Sequence, residues 1–172
     1  QTISVLLVED NPDDVALIQE YVAAATRRRY ILTTTDRLSE GIRLAKAGFF
    51  DAILLDLGLP DSQGAETIAR LRREVPDTPV VVLSGTDDEK SINEAIQRGA
   101  QDYLVKGQFA GEVVTRAIRH AIERQRILLS LEIERQKKRQ SAPDQQLIEH
   151  VGAKQVSAET SASGITRLWE RA

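Results

Sequence analysis

Short apolar runs alternate with longer amphipathic stretches along most of this chain. "ISVLLV" (3–8), "YILTTT" (30–35), "AILLDL" (52–57), "PVVVLS" (79–84) and "DYLV" (102–105) predict strands. Three of them are apolar on consecutive positions, the pattern of strands covered on both faces. Helical spacing fills the gaps. Pro12 opens a helix over 12–25, in which Val15, Ile18 and Val22 recur on one side. Ser39 and Glu40 open a second over 39–47, which ends at Gly48; a third over 64–75 stops at Pro76. A fourth over 88–98 gathers Ile92, Ala95 and Ile96 and ends at Gly99. A long helix begins near Phe109. Five strands, each followed by a helix, predict an α/β fold with a parallel sheet covered on both faces, over about 120 residues. The strand order does not follow from spacing alone.

The last helix is too long for that domain. Gly111 to about Arg139 contains no further proline or glycine, far beyond the average helix of ~11–12 residues. Val113, Val114, Ala117, Ile118, Ala121 and Ile122 can cover the sheet, but Ile127, Leu128, Leu129, Leu131 and Ile133 follow after the domain is complete. Val114, Ala117, Ala121, Leu128 and Leu131 fit an a/d seam that Arg124 and Arg135 interrupt. A dimer seam or a connector to another module is the better expectation; a helix folded back on its own domain is the plainer alternative. The expected divisions are 1–123 for the domain, 124–140 for the extended helix and 141–172 for a tail. In the tail "SAPD" caps a short helix around Asp144–His150, "SAETSASG" (157–164) reads as a partly disordered loop, and "ITRLWERA" as a final helical turn carrying Trp169.

Composition narrows the chemistry. Apolar content of 41% and charged content of 28% suit a soluble globular protein. A net charge of -3 gives no reason to expect nucleic acid or an anionic membrane as partner. No run approaches a membrane span and no signal pattern opens the chain, so a cytoplasmic protein is expected. The absence of cysteine excludes disulfides, thiolate metal sites and cysteine nucleophiles. Methionine is absent too, initiator included, so the chain is expected to start after its true beginning.

The strand ends carry the candidate site. The first strand runs into Glu9 and Asp10, the third ends at Asp56, the fourth at Ser84, and the fifth leads into Lys106. In a parallel sheet these ends share one edge, where open α/β sheets place their sites. Gly58 and Pro60 turn the chain away and leave Asp56 open. Three carboxylates against one ammonium leave an excess of negative charge that one divalent cation would balance. An oxygen-only donor set favours Mg²⁺ over Ca²⁺. A metal beside a carboxylate is also the arrangement for phosphorylating it: the metal and Lys106 offset phosphoryl charge, Asp56 attacks, and Ser84 donates its hydroxyl to the attached group.

"VEDN", "LLDLGLPDSQG", "VVLSG" and "GAQDYLVKG" closely resemble the receiver domain of two-component response regulators (CheY-like), in order, spacing and strand position, over about residues 3–123. The resemblance implies a flavodoxin-like (βα)5 doubly wound sheet in order 2-1-3-4-5. It implies Asp56 as phosphoacceptor, Glu9 and Asp10 as the acidic pair, the Gly58 carbonyl as a further magnesium ligand, Ser84 and Lys106 as the hydroxyl and lysine, and Tyr103 as the aromatic switch. The implied donor is a phosphohistidine on a sensor histidine kinase or phosphotransfer protein, and the implied output a switched binding or dimer surface. Such a module catalyses only its own phosphorylation and dephosphorylation. One departure stands out: receivers usually carry a cis proline after the lysine, and here the residue is Gly107. A cis bond without proline costs ~3 kcal/mol, so a trans bond and a looser Lys106 loop are expected.

Two other functions compete for the same residues. A magnesium-dependent phosphatase of the haloacid dehalogenase type needs a second aspartate two residues after the first, and that position is Gly58. A pseudo-receiver acting as a dimerisation scaffold has no use for the intact acid, hydroxyl and lysine set. His120 and His150 read as surface or packing residues. "RRR" (27–29) and "KKR" (137–139), lacking aromatics or a recognition helix, read as solvated charge.

Overall fold

The computed structural model describes the backbone of residues 2–166 and side chains up to residue 140. His150 as a side chain, and the final turn with Trp169, lie outside the described residues. The chain forms two compact units, Gln1–Ile127 and Leu128–Ala172.

In the first unit, β1 (Thr2–Val8), β2 (Arg29–Thr35), β3 (Ala52–Asp56), β6 (Val80–Ser84) and β7 (Asp102–Val105) form one parallel sheet in the order β2-β1-β3-β6-β7. Counting only these strands, the order is 2-1-3-4-5, the flavodoxin-like arrangement the resemblance implies. The helices are α1 (Pro12–Ala23), α2 (Leu38–Ala47), α3 (Ala65–Glu74), α4 (Glu89–Gln97) and α5 (Gly111–Thr166). The turn after Asp56 also holds a two-stranded antiparallel hairpin, β4 (Gly58–Leu59) with β5 (Ser62–Gln63), which the hydrophobic pattern does not announce.

Side-chain parity along the strands sorts the core into two layers. Val5, Leu7, Leu54, Val81 and Leu83 face α1 and the start of α5, packing with Ile18, Val22, Val114, Ala117 and Ile118. Leu6, Val8, Ile53, Leu55 and Val82 face the other way, against Leu38, Ile68, Leu71 and Ala95. Every residue of β3 and β6 is buried, which explains their unbroken apolar runs. Each fully buried Leu, Ile or Val contributes about 1.5–3 kcal/mol of apolar transfer. α2 approaches β1 most closely at Gly41, where an added Cβ would stand 2.8 Å from Val8 Cγ2.

Side chains cap the starts of α1 and α4, while α2 and α3 have no side-chain cap of their own. Asn11 accepts from the Asp13 N–H at 2.9 Å, with Pro12 in the first turn, and Asp88 accepts from the Ser91 N–H at 2.9 Å. α2 begins at Leu38, one residue before the predicted Ser39, and no side chain at its cap position serves it. Asp61 does so from the hairpin turn, accepting from Leu38 N–H at 2.8 Å and Ser39 N–H at 2.9 Å.

α5 buries Val114, Ala117, Ile118, Ala121, Ile122 and Gln125. Ile127, Leu128, Leu131 and Ile133 are exposed. The helix continues to Thr166, through the stretch that reads in the sequence as a short helix followed by a polar loop. Alanine and glutamine, both good helix formers, recur there beside Pro143, Gly152 and Gly164, which are poor ones.

Candidate functional site

The parallel register brings the predicted residues to one edge. Val8 pairs with Leu55, Asp56 with Leu83, and Ser84 with Val105, so the residues ending these strands leave the sheet side by side. Two further bonds hold the edge past the strands: Glu9 N–H donates to Thr35 O at 2.9 Å, and Lys106 N–H to Ser84 O at 2.8 Å. Glu9, Asp56 and Ser84 are buried; Asp10 is exposed.

Lys106 is the hub. Its Nζ lies 2.8 Å from Asp56 Oδ1, 2.6 Å from Glu9 Oε2 and 3.0 Å from Asp14 Oδ2. Burial works to push the ammonium down, but the Asp56, Glu9 and Asp14 carboxylates overcome it and hold Lys106 well above its ordinary range. The other Asp56 oxygen, Oδ2, accepts from the Gly58 N–H at 2.7 Å. A Cβ at position 58 would stand 3.2 Å from that oxygen, so glycine keeps it uncrowded. Gly107 takes φ +78°, a conformation closed to proline, and no described peptide bond is cis, in line with the trans expectation for Lys106–Gly107.

Burial pushes the Glu9 carboxyl above its ordinary value; the Lys106 ammonium and the Asn11 N–H oppose that, and the Asp56 charge reinforces it. The Asn11 N–H reaches Glu9 Oε1 at 3.1 Å. Glu9 Oε2 is buried and has the Lys106 ammonium, at 2.6 Å, as its partner. Carboxylate oxygens of Glu9, Asp10 and Asp56 lie within 4.8 Å of one another. With Asp14 the cluster has four carboxylates against one ammonium. An oxygen-only set with this excess of negative charge fits a hard divalent cation.

Beside Asp56 opens a cleft of about 460 Å³ whose walls include Gly58, Ser84, Thr86 and Tyr103. Ser84 Oγ and Thr86 Oγ1 are 3.1 Å apart, and the Tyr103 hydroxyl donates to Thr86 O at 2.8 Å. Thr86 thus joins the predicted hydroxyl position to the predicted aromatic position.

The response regulator receiver domain family matches residues 5–119. The chain belongs to the response-regulator receiver family. This receiver is 38% identical over 120 residues to the cell cycle response regulator CtrA of Brucella ovis and to that of Brucella anthropi, matching 70% of this chain and 50% of each relative. It spans about half the length of the curated relatives it matches. Among solved structures, the CheY-like receiver of Methanospirillum hungatei JF-1 shares the fold with a TM-score of 0.61 at 17% identity, covering 73% of this chain and 98% of that one. The receiver domain of the sensor histidine kinase PA1611 from Pseudomonas aeruginosa PAO1 gives 0.62 at 26% identity, covering 72% and 99%; that protein was crystallised with a magnesium ion coordinated in its active-site cleft. Receiver domains are in general signalling modules, which work with a histidine kinase or phosphotransfer partner. Among the described residues no helix of this receiver is long and apolar enough to cross a membrane.

Two residues of the site escape sequence reasoning. Asp14 reads as an ordinary first-turn acid of α1, and only the fold brings it to Lys106. Thr86 sits in "SGTDD", where glycine and acids make any threonine look like turn filler.

Proposed function

We propose that this receiver is a phosphoacceptor switch in which Asp56 takes a phosphoryl group from a phosphohistidine of a sensor kinase or phosphotransfer protein in the cytoplasm. The observation that carries this reading is the Asp56 carboxylate itself. It ends a fully buried strand, with the Lys106 ammonium at 2.8 Å on one oxygen, the Gly58 N–H at 2.7 Å on the other, and Glu9 and Asp10 beside it.

A carboxylate oxygen of Asp56 attacks phosphorus in line; the P–N bond to the donor imidazole breaks, and its electron pair stays on the ring nitrogen. Lys106 moves with the charge, from the carboxylate to the phosphoryl oxygens, and lowers the barrier by electrostatic stabilisation. Ser84, on the wall of the same cleft, donates its hydroxyl to the attached group. Asp10, Asp56 and the Gly58 carbonyl, with Glu9 directly or through water, are the residues to hold a magnesium ion, which supplies charge neutralisation when bound. The magnesium seen in the PA1611 receiver supports that choice of ion. This chain then catalyses only its own phosphorylation and dephosphorylation.

Turning Ser84 toward a phosphoryl group draws it from Thr86, whose carbonyl anchors the Tyr103 hydroxyl. Charge at Asp56 thereby becomes a change at the surface around Tyr103. The exposed Leu128 and Leu131 of α5 give the output a place to act, as a seam with a second copy of the chain. Sedimentation of the full chain tests this: a monomeric mass in both the free and the phosphorylated state removes the seam.

The decisive experiment is intact-mass measurement after acetyl phosphate with Mg²⁺. Addition of one phosphoryl group to the wild type and none to Asp56→Asn is expected. A folded wild type that stays unmodified sinks the reading.

A further inference from the structure

The stretch 106–110, between β7 and α5, carries the lysine of the site on a permissive backbone. Lys106 N–H is fixed to the sheet through Ser84 O at 2.8 Å, and the Gln108 N–H donates to Val105 O at 3.1 Å, closing a turn around Lys106 and Gly107. Gly107 takes the third position of that turn with φ +78°, a place that favours glycine. Nothing lies within 4 Å of where a Cβ on Gly107 would stand. The residue that follows the lysine is thus unpacked and has the widest conformational freedom of any. The Gln108 side chain reaches Asp87 at 3.4 Å, an exposed contact.

α1 supplies a firmer restraint. Asp14, Leu17, Ile18 and Tyr21 recur at i, i+3, i+4 and i+7 and so share one face of the helix. Asp14 Oδ2 lies 3.0 Å from Lys106 Nζ. Two turns further along, the Tyr21 hydroxyl donates to Phe109 O at 3.3 Å, and the two rings meet edge to face with centroids 6.3 Å apart. Tyr21 also lies against Gly111, the first residue of α5, where an added Cβ would stand 2.8 Å from Tyr21 Cδ1. Between these contacts Leu17 and Ile18 line a cavity of about 10 Å³ with Lys106, Gly107 and Phe109, room for no more than about one water.

Asp14 differs from the other two acids on the ammonium. Glu9 and Asp56 belong to the carboxylate set that fits a metal, and Asp14 does not. On the phosphoacceptor reading, on which this inference rests, Asp56 gives up a carboxylate oxygen to phosphorus while Asp14 remains a carboxylate. We infer that Asp14 and Tyr21 are positioning residues for Lys106, clamping the 106–110 stretch to α1 so that the ammonium stays in place while its partner at Asp56 changes. Both act through the lysine. An ammonium already held where charge develops needs no reorganisation at the moment of transfer.

The test pairs amide hydrogen exchange of the full chain with its phosphorylation by acetyl phosphate and Mg²⁺. Asp14→Asn and Tyr21→Phe each remove one polar contact of the clamp. In metal-free buffer each should speed exchange of the Gln108 amide by about two- to tenfold, the worth of one net hydrogen bond, and leave the amides of β6 unchanged. Arg27→Gln with Arg116→Gln, in a hollow of about 260 Å³ that shares no lining residue with the clamp, is the control and should change neither. Phosphorylation should slow by about two- to fivefold in Asp14→Asn, the range of exposed ion pairs, and recover in Asp14→Glu, which restores the charge. Added to Lys106→Ala, Asp14→Asn should slow it no further; a merely structural aspartate would slow both backgrounds alike. Unchanged Gln108 exchange in either folded variant overturns the clamp, and so does equal slowing by Asp14→Asn with and without the lysine. Exchange needs no phosphoryl transfer, so a wild type that takes up no phosphoryl group sinks the phosphoacceptor reading and leaves the clamp to be decided by exchange alone.

Discussion

The cluster at Asp56 and the pocket at Arg116 belong to one compact unit and are opposites in charge and in construction. The first draws four carboxylates around one ammonium at the ends of buried strands, where burial raises Glu9 and the acids raise Lys106. The second is a hollow lined by four arginines from a turn and a helix, with one acid among the lining residues. A net charge of -3 describes neither. The comparison teaches that the side-chain supply of a fold says little about its sites; what matters is which charges the backbone forces together and whether they neutralise one another. In the acidic cluster a single lysine mediates, and the remaining deficit calls for a cation. In the basic pocket a single glutamate stands among the arginines of the wall.

The largest expected effect breaks the symmetry outright. Asp56→Asn should abolish phosphoryl incorporation, read by intact mass, while Arg27→Gln with Arg116→Gln should leave it at the wild-type level. A loss in both would mean the two regions work as one. Next, Lys106→Ala removes the mediator. By analogy with deleting one oxyanion donor, phosphorylation by acetyl phosphate should slow by about 10²–10³-fold, measured as an initial rate with saturating Mg²⁺. A rate within a factor of two of the wild type would remove the lysine from the chemistry.

A third measurement uses the raised Glu9. A carboxyl lifted above its ordinary 4.5 favours the fold fully below that value, and the contribution is lost as pH rises through its folded pKa. Above that point the metal-free protein carries a buried charge that a cation can relieve. Mg²⁺ at about 100 times its dissociation constant should add about 2.7 kcal/mol at neutral pH, and less as pH falls and Glu9 takes up its proton. Melting curves with and without Mg²⁺ at neutral and lower pH check this; a larger gain in acid contradicts it. The smallest effect belongs to Asp14→Asn. Asp14 is one of three acids on Lys106 and part-exposed, so its removal should change the phosphorylation rate only about two- to fivefold, in keeping with exposed pairs of 0.2–1 kcal/mol. No change at all would make Asp14 a bystander and leave Glu9 and Asp56 as the positioning pair.

Local chemistry was legible in the sequence, and long-range pairing was not. Ala52–Asp56 and Val80–Ser84 announce themselves as buried strands because both faces are covered and no polar residue interrupts them before the end. Glu9, Asp10, Asp56 and Lys106 are legible for the same reason: parallel strands must place their ends together, so finding the strands finds the cluster. Asp14 on Lys106, Thr86 between Ser84 and Tyr103, and Asp61 on the start of α2 are contacts made across turns whose geometry no periodicity encodes. The arginine pocket shows the same limit. "RRR" reads as solvated charge until the fold sets Arg116 and Arg119 opposite it. Along α5 the apolar pattern itself is continuous, and what changes is the surface available: Ile118 is buried, while Leu128 is exposed.

Asp61 lends its two carboxylate oxygens to the first two amides of α2 from the hairpin that starts two residues after Asp56. Those amide protons are open to exchange with solvent whenever the Asp61 carboxylate leaves them. Their deuterium uptake is therefore a built-in clock for the loop beside the acceptor aspartate, readable without a label or a substitution. Any event at Asp56 that loosens or tightens that loop will change the rate at which Leu38 and Ser39 give up their protons.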